Sequence, residues 1–305
     1  MRESVQNIID EIGKVLLGKE PEIKLSLACL FANGHLLIED LPGMGKTTLA
    51  HALAKVAGLQ YQRVQFTSDM LPADVLGVSV FDASANQFSF HAGPVFTQVL
   101  LADEINRTTP KTQSALLEAM EERQVTVDGN TRPLPNPFFV IATQNPQSQM
   151  GTFPLPESQL DRFLMRISLG YPDQKAELAL FKGGDSRRLI ADLKTLVSPE
   201  ALVETQNQIA QVQASDALLG YLQRLVHATR HDSQFAHGLS PRGALALLHA
   251  AKAWAYMHNR DYVIPEDIQA VLPSVVSHRV LAAGVPDSGQ IEQLQQSVDI
   301  LSVNG

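Results

Sequence analysis

His35-Leu36-Leu37-Ile38-Glu39-Asp40-Leu41-Pro42-Gly43-Met44-Gly45-Lys46-Thr47-Thr48-Leu49-Ala50 reads as a buried strand, a glycine loop and the start of a helix. That order builds a cradle for phosphate. The glycines let backbone N–H groups turn toward anionic oxygens, the new helix aims its positive end at the same point, and a lysine adds a full charge. Lys46 is expected to reach the β- and γ-phosphates of a nucleoside triphosphate, and Thr47 to hold Mg²⁺ through its hydroxyl. One position breaks the strict pattern: Asp40 stands where a glycine is usual, five residues before Gly45. A carboxylate there must point away from the phosphates or meet a cation.

Around this loop the periodicity predicts alternating strands and helices. Residues 5–33 read as two helices broken at Gly18-Lys19-Glu20-Pro21, and residues 48–56 as a helix stopped by Gly58. Apolar runs at 36–38, 61–66, 99–102, 138–143 and 163–169 predict strands, and continuous runs such as Val99-Leu100-Leu101-Ala102 fit a parallel sheet covered on both faces. Residues 78–81 and 88–91 alternate as one hairpin, and 124–132 form a second around Asp128-Gly129. Residues 110–123 are expected as a helix capped by Thr109 with Pro110 in its first position. After Gly170-Tyr171-Pro172-Asp173 strand signals nearly stop, and helices are predicted at 201–213, 216–230, 241–258 and 265–276. This change places a domain boundary between residues 1–171 and 172–305, with no long linker to keep the two units apart.

Composition sets the outer limits. Of 305 residues, 45% are hydrophobic and 18% charged, the balance of an ordinary water-soluble protein. No apolar run reaches the roughly 18 residues of a membrane span, and Met1-Arg2-Glu3-Ser4 lacks the basic-then-apolar pattern of a secretion signal. The cytoplasm is the expected compartment. Cys29, the single cysteine, lies in an apolar stretch and reads as a buried thiol. A net charge of -8 argues against a general grip on nucleic acid, which needs clustered cations.

Several further residues carry chemistry. Asp103 and Glu104 end an apolar strand at the edge where a phosphate loop would sit: Asp103 would orient Mg²⁺, and Glu104 would polarise the attacking water. Taken alone, two acids at a strand exit are also common surface chemistry. Asn145 follows another buried strand, where its amide can bond a γ-phosphate or position water without adding charge; Asn before Pro is equally an ordinary turn starter. Arg162 and Arg242 offer guanidinium forks for the charge of a terminal phosphate, or else form structural ion pairs. Arg242 sits in the first turn of a helix opened by Ser240-Pro241, where the dipole disfavours a cation and calls for an anionic partner.

With these elements in this order, the chain resembles the AAA+ ATPases of the MoxR family. The likeness rests on 36–48, 65–77, Gly93-Pro94-Val95-Phe96, Leu101-Ala102-Asp103-Glu104-Ile105-Asn106-Arg107, 110–129, 142–146, 151–163, Ser240-Pro241-Arg242 and Ile264-Pro265-Glu266-Asp267-Ile268. The resemblance implies an α/β fold: a five-stranded parallel sheet in an αβα core with hairpin inserts, followed by an all-α lid. It also implies a ring, usually of six subunits, that hydrolyses ATP with Mg²⁺. By the same resemblance Pro42, Gly43, Met44, Gly45, Lys46, Thr47 and Thr48 form Walker A, and residues 100–104 form Walker B. Asn145 is then sensor 1, Arg162 an arginine finger given to the next subunit, and Arg242 a sensor 2 supplied by the lid. The hairpins would face the pore or a partner, and Glu39-Asp40 before Pro-Gly resembles a variant of this family.

The implied work is chaperone-like remodelling, maturation or metal insertion in a client protein, often with a partner carrying a von Willebrand factor A domain. Two other classes compete: a nucleotide-gated binding switch with little turnover, and a DNA-acting motor. Glu104 and Arg162 together favour the enzyme over the switch, and the net charge argues against the motor.

Overall fold

The structure is a computed structural model that describes residues 4–84, 86–145, 151–182, 186–281 and 289–300. Ala85 in the first predicted hairpin, and Pro146 after the fourth predicted strand, lie outside the described residues. In chain order the first half runs α1 (Val5–Gly13), α2 (Glu20–Phe31), β1 (Leu36–Glu39), α3 (Lys46–Val56), β2 (Tyr61–Gln65), α4 (Pro72–Leu76), β3 (Gly77–Asp82), β4 (Gln87–Ala92), β5 (Val99–Asp103), α5 (Pro110–Glu122), β6 (Gln124–Val127), β7 (Asn130–Pro133), β8 (Phe139–Gln144), α6 (Glu157–Leu160) and β9 (Met165–Ile167). The second half is helical: α7 (Gln174–Lys182), α8 (Ser186–Ala191), α9 (Pro199–Ala210), α10 (Asp216–His231), α11 (Pro241–Met257), α12 (Pro265–Val280) and α13 (Gln290–Ser297).

Five strands form one parallel sheet in the order β2-β5-β8-β1-β9. Side chains alternate between its faces, as the two-residue period of a strand requires. Leu36, Ile38, Leu101 and Ile141 enter one core with α1, α2 and α3, whereas Leu37, Leu100, Val140 and Ala142 enter a second core with Leu116, Leu117 and Met120 of α5. β5 and β8 are buried on both faces, which explains their unbroken apolar reading. The first core also takes in Leu247, Ile268, Val271 and Val275 of the later helices, so the lid packs directly onto one face of the sheet.

The two hairpins, β3 with β4 and β6 with β7, stand outside the sheet. Asp128 and Gly129 both have positive φ in the two-residue turn of the second, as that tight connection demands. Arg132 stacks 3.9 Å over the Phe90 ring and joins the hairpins. At the base of the first, Gly93 packs so closely on the backbone of Val75 and Gly77 that no Cβ fits.

Two local expectations need correction. Thr109 occupies the cap position of α5 but makes no capping bond to the backbone; its hydroxyl lies 3.3 Å from that of Thr112, and Pro110 opens the helix. The last long helix, α12, continues to Val280 rather than stopping near 276, because its final turn is buried and Arg279 bonds Asp161 (2.7 Å) and the Phe163 carbonyl (2.7 Å). By contrast Ser198, Ser215 and Ser240 all cap their helices through side-chain oxygens.

Candidate functional site

The parallel sheet decides which residues can meet. β1, β5 and β8 end at one edge, and the segments that leave them carry the glycine loop, Asp103-Glu104 and Asn145. They close around a cavity of about 370 Å³ lined by loop residues 42–43 and 45–48 together with Arg63, Gln65, Asp103, Glu104 and Asn145. Gly43 and Gly45 have φ of 86° and 94°, a region open to glycine at little cost, and Gly45 delivers the chain into α3. Met44 does not line this cavity: its side chain packs against the apolar core, so any contact with phosphate falls to its backbone.

Lys46, in the first turn of α3, is buried. Its ammonium donates to the Asp40 carbonyl (2.7 Å) and to Asn145 Oδ1 (3.3 Å). Burial lowers its pKa, while the carboxylates of Asp103, Asp40 and Glu104 pull the other way. The Asp40 carboxylate turns away from the cavity, where Oδ2 accepts the N–H groups of Leu169 and Gly170 (3.0 Å for Gly170). Asp40 therefore meets backbone amides rather than a cation.

The two acids where β5 ends are held differently. Asp103 Oδ1 accepts the Thr143 hydroxyl (2.6 Å), and Oδ2 accepts Arg63 through Nε (3.2 Å) and a terminal nitrogen (2.6 Å). Glu104 has φ 55° and ψ 50°, a strained conformation for a side chain other than glycine. Its N–H donates to Thr143 Oγ1 (2.8 Å). Its carboxylate accepts Gln65 (2.8 Å) and Arg107 (2.9 Å) on one oxygen and Asn145 (3.2 Å) on the other. Oxygen donors from Thr47 and Asp103 suit Mg²⁺, a hard cation that takes few protein ligands.

Arg162 and Arg242 are not brought to this cavity. The register pairs Leu36 with Met165, so Arg162 enters β9 at the sheet edge opposite the glycine loop. There Arg162 Nε meets one oxygen of Glu121 (2.8 Å), and Arg242 meets the other (2.7 Å), with Asp161 4.0 Å away. These residues line a separate cavity of about 310 Å³ with Arg123 and Arg279. α11 packs on α2 and α12, which sets its first turn, and with it Arg242, beside Arg162 rather than at the glycine-loop cavity.

Known proteins carry the same organisation. Residues 35–165 match the model of the ATPase family associated with various cellular activities (AAA), and residues 227–299 match the AAA lid domain. Over 99% of its length the chain is 37% identical to Chaperone MoxR1 of Mycobacterium tuberculosis, covering 83% of that protein. It is 48% identical to the uncharacterized protein YeaC of Bacillus subtilis, across 90% of this chain and 85% of that one. The crystal structure of a putative ATPase from Cytophaga hutchinsonii superposes with a TM-score of 0.87 at 39% identity, covering 98% of this chain and 95% of that one. The chain belongs to the MoxR family of AAA+ ATPases.

As a MoxR-family member it is an ATPase, with an AAA+ core followed by a helical lid. Around the glycine-loop cavity, local sequence patterns do not point to Arg63, Gln65 and Thr143. Arg63 and Gln65 lie on β2, whose register sets Gln65 beside Asp103; their spacing of two on an edge strand was the available signal, though not the partner strand. Arg107, part of the MoxR signature without an assigned role, forms an exposed ion pair with Glu104. Among the described residues, no helix is long and apolar enough to cross a membrane.

Proposed function

We propose that the chain hydrolyses ATP at the interface between neighbouring subunits of a ring of six. One subunit contributes Lys46, Thr47, Asp103, Glu104 and Asn145, and its neighbour contributes both Arg162 and Arg242. The separation of these two sets onto opposite edges of one sheet carries the reading. Edges that face apart within a subunit come to face one another around a closed ring.

In this reading the backbone of Gly43, Met44 and Gly45, in a loop shaped by Pro42, holds phosphate with Lys46 and Thr48. Water attacks the γ-phosphorus as its bond to the bridging oxygen of the departing ADP breaks. Glu104 takes the water's proton on Oε1, the oxygen that accepts Asn145 alone and keeps a lone pair open. Asn145 positions the water, and the two guanidinium groups spread the charge on the transferred group. Thr47 and Asp103 would hold Mg²⁺, which neutralises charge on the β- and γ-phosphates.

The boundary between core and lid falls after Tyr171, giving units of residues 1–171 and 172–305. Motion of the lid against the core does work on a client protein: remodelling, maturation, or insertion of a metal or cofactor. A partner with a von Willebrand factor A domain is the class expected, and the cytoplasm the compartment. Support for a protein client comes from the name of the Mycobacterium relative and from Phe81 and Phe88, 50% and 72% exposed on the first hairpin.

The test mixes two inactive variants. Glu104→Gln lacks the base but keeps both arginines; Arg162→Ala keeps the base. Mixed rings join an intact base to an intact arginine, so activity should recover on mixing. Failure to recover, with rings verified by light scattering, would reject the shared site.

A further inference from the structure

Asp40 breaks the strict phosphate-loop pattern, and its contacts reach well beyond the loop. Its N–H donates to the Gln144 carbonyl at the end of β8 (3.2 Å), and its own carbonyl accepts Lys46 (2.7 Å). Its carboxylate, buried, gathers the successive amides of Leu169 and Gly170. The same segment is gripped from the other side by the buried Lys19, whose ammonium donates to the carbonyls of Leu169 and Tyr171 (2.8 Å for Tyr171). Residues 169–171 lead from β9 into α7, the passage from sheet to lid. The adjacent Glu39 makes a parallel link: it pairs with Arg166 of β9 (3.0 Å), which donates to Ser277 of α12 (3.3 Å).

We propose that Asp40 is a positioning residue that couples the phosphate loop to the segment 169–171 at the root of the lid. The proposal rests on nucleotide binding at that loop. Phosphate oxygens compete with the Asp40 carbonyl for the Lys46 ammonium. When Lys46 turns toward phosphate, the peptide that holds Asp40 loses an anchor on one side and keeps Leu169 and Gly170 on the other. A glycine at this position would satisfy the loop and leave the two amides without their acceptor. Asp40 thus reports the state of the loop to the lid, while Lys19 keeps the receiving segment in register.

The measurement is amide hydrogen exchange at Leu169 and Gly170 in the full chain, with and without Mg²⁺ and adenylyl imidodiphosphate. In Asp40→Gly both amides should exchange at least about tenfold faster, the factor expected for losing a bond to a charged acceptor. Asp40→Asn, which keeps an acceptor oxygen, should lie between and serves if the glycine variant folds poorly. The nucleotide analogue should change exchange at these two amides in the wild type and leave Asp40→Gly unchanged, a difference that a purely structural role would not produce. Equal exchange in wild type and Asp40→Gly, or an equal response of both to the analogue, would overturn the coupling. Calorimetry separates the two claims: bound analogue with no exchange response rejects the coupling alone, whereas no binding rejects the nucleotide reading along with it.

Discussion

Arg162 of the core and Arg242 of the lid share one carboxylate, each taking a different oxygen of Glu121 at 2.8 and 2.7 Å. The pair is set side by side before any neighbour arrives, by two elements that belong to different halves of the chain. A phosphate group approaching that edge would meet two guanidinium forks at once.

Arg162→Ala is expected to lower turnover by about 10³ to 10⁵, the range for an arginine supplied in trans, and Arg242→Ala to act in the same direction. Nucleotide binding to the loop should persist in both, as read by equilibrium binding of a fluorescent ATP analogue. Wild-type activity per subunit should fall on dilution below the assembly concentration. Full activity from a verified monomer would contradict the arrangement.

Glu104→Gln should reduce phosphate release by about 10² to 10⁴ while the protein still retains ATP. The substitution leaves an oxygen for at least one of the present donors, so the loss reports the missing base rather than a collapsed site. An unchanged rate would assign the proton to another group.

Two buried histidines make stability depend on pH. Burial, assisted by Arg123, holds the His35 pKa down to about 3, and burial together with Arg279 and Arg166 lowers that of His278. Unfolded, each titrates near about 6.5. Below that pH the unfolded chain binds protons that the folded chain refuses, so stability falls as pH drops below about 6.5, and His35 alone contributes about 1.4 kcal/mol per unit down toward about 3. In the fold His35 accepts the Val140 N–H (3.0 Å) and lies 3.2 Å from the Met120 carbonyl. Urea unfolding between pH 7.5 and 5 should show a slope shallower by about one proton in His35→Gln. Equal slopes would show that His35 takes up its proton in the fold.

Gly93→Ala should cost about 1 to 3 kcal/mol, because the new Cβ would overlap backbone atoms of Val75 and Gly77, which have no rotamer through which to yield. A shift in the urea midpoint without a change in slope would report this cost, and an unshifted midpoint would mean that the hairpin base can open.

The strands and long helices were legible because each rests on its own local pattern: Val99-Leu100-Leu101-Ala102 is apolar throughout, and Ser240-Pro241 opens a helix with its cap in place. What stayed hidden depends on which strands become neighbours. Arg63 reaches Asp103 only because β2 pairs with β5, and Asp40 meets amides 129 and 130 residues away. The position of Arg242 was illegible for the same reason. Local sequence places it at a helix start, but the packing of α11 decides which sheet edge that start faces.

The stacking of Arg132 on Phe90 has a mechanical meaning. It braces the two hairpins into a single lever, and the second hairpin grows directly from the end of α5, one residue past the helix whose last turn carries Glu121. A tug on the aromatic tip would cross one side-chain stack and then follow continuous backbone to the residue that clasps both arginines.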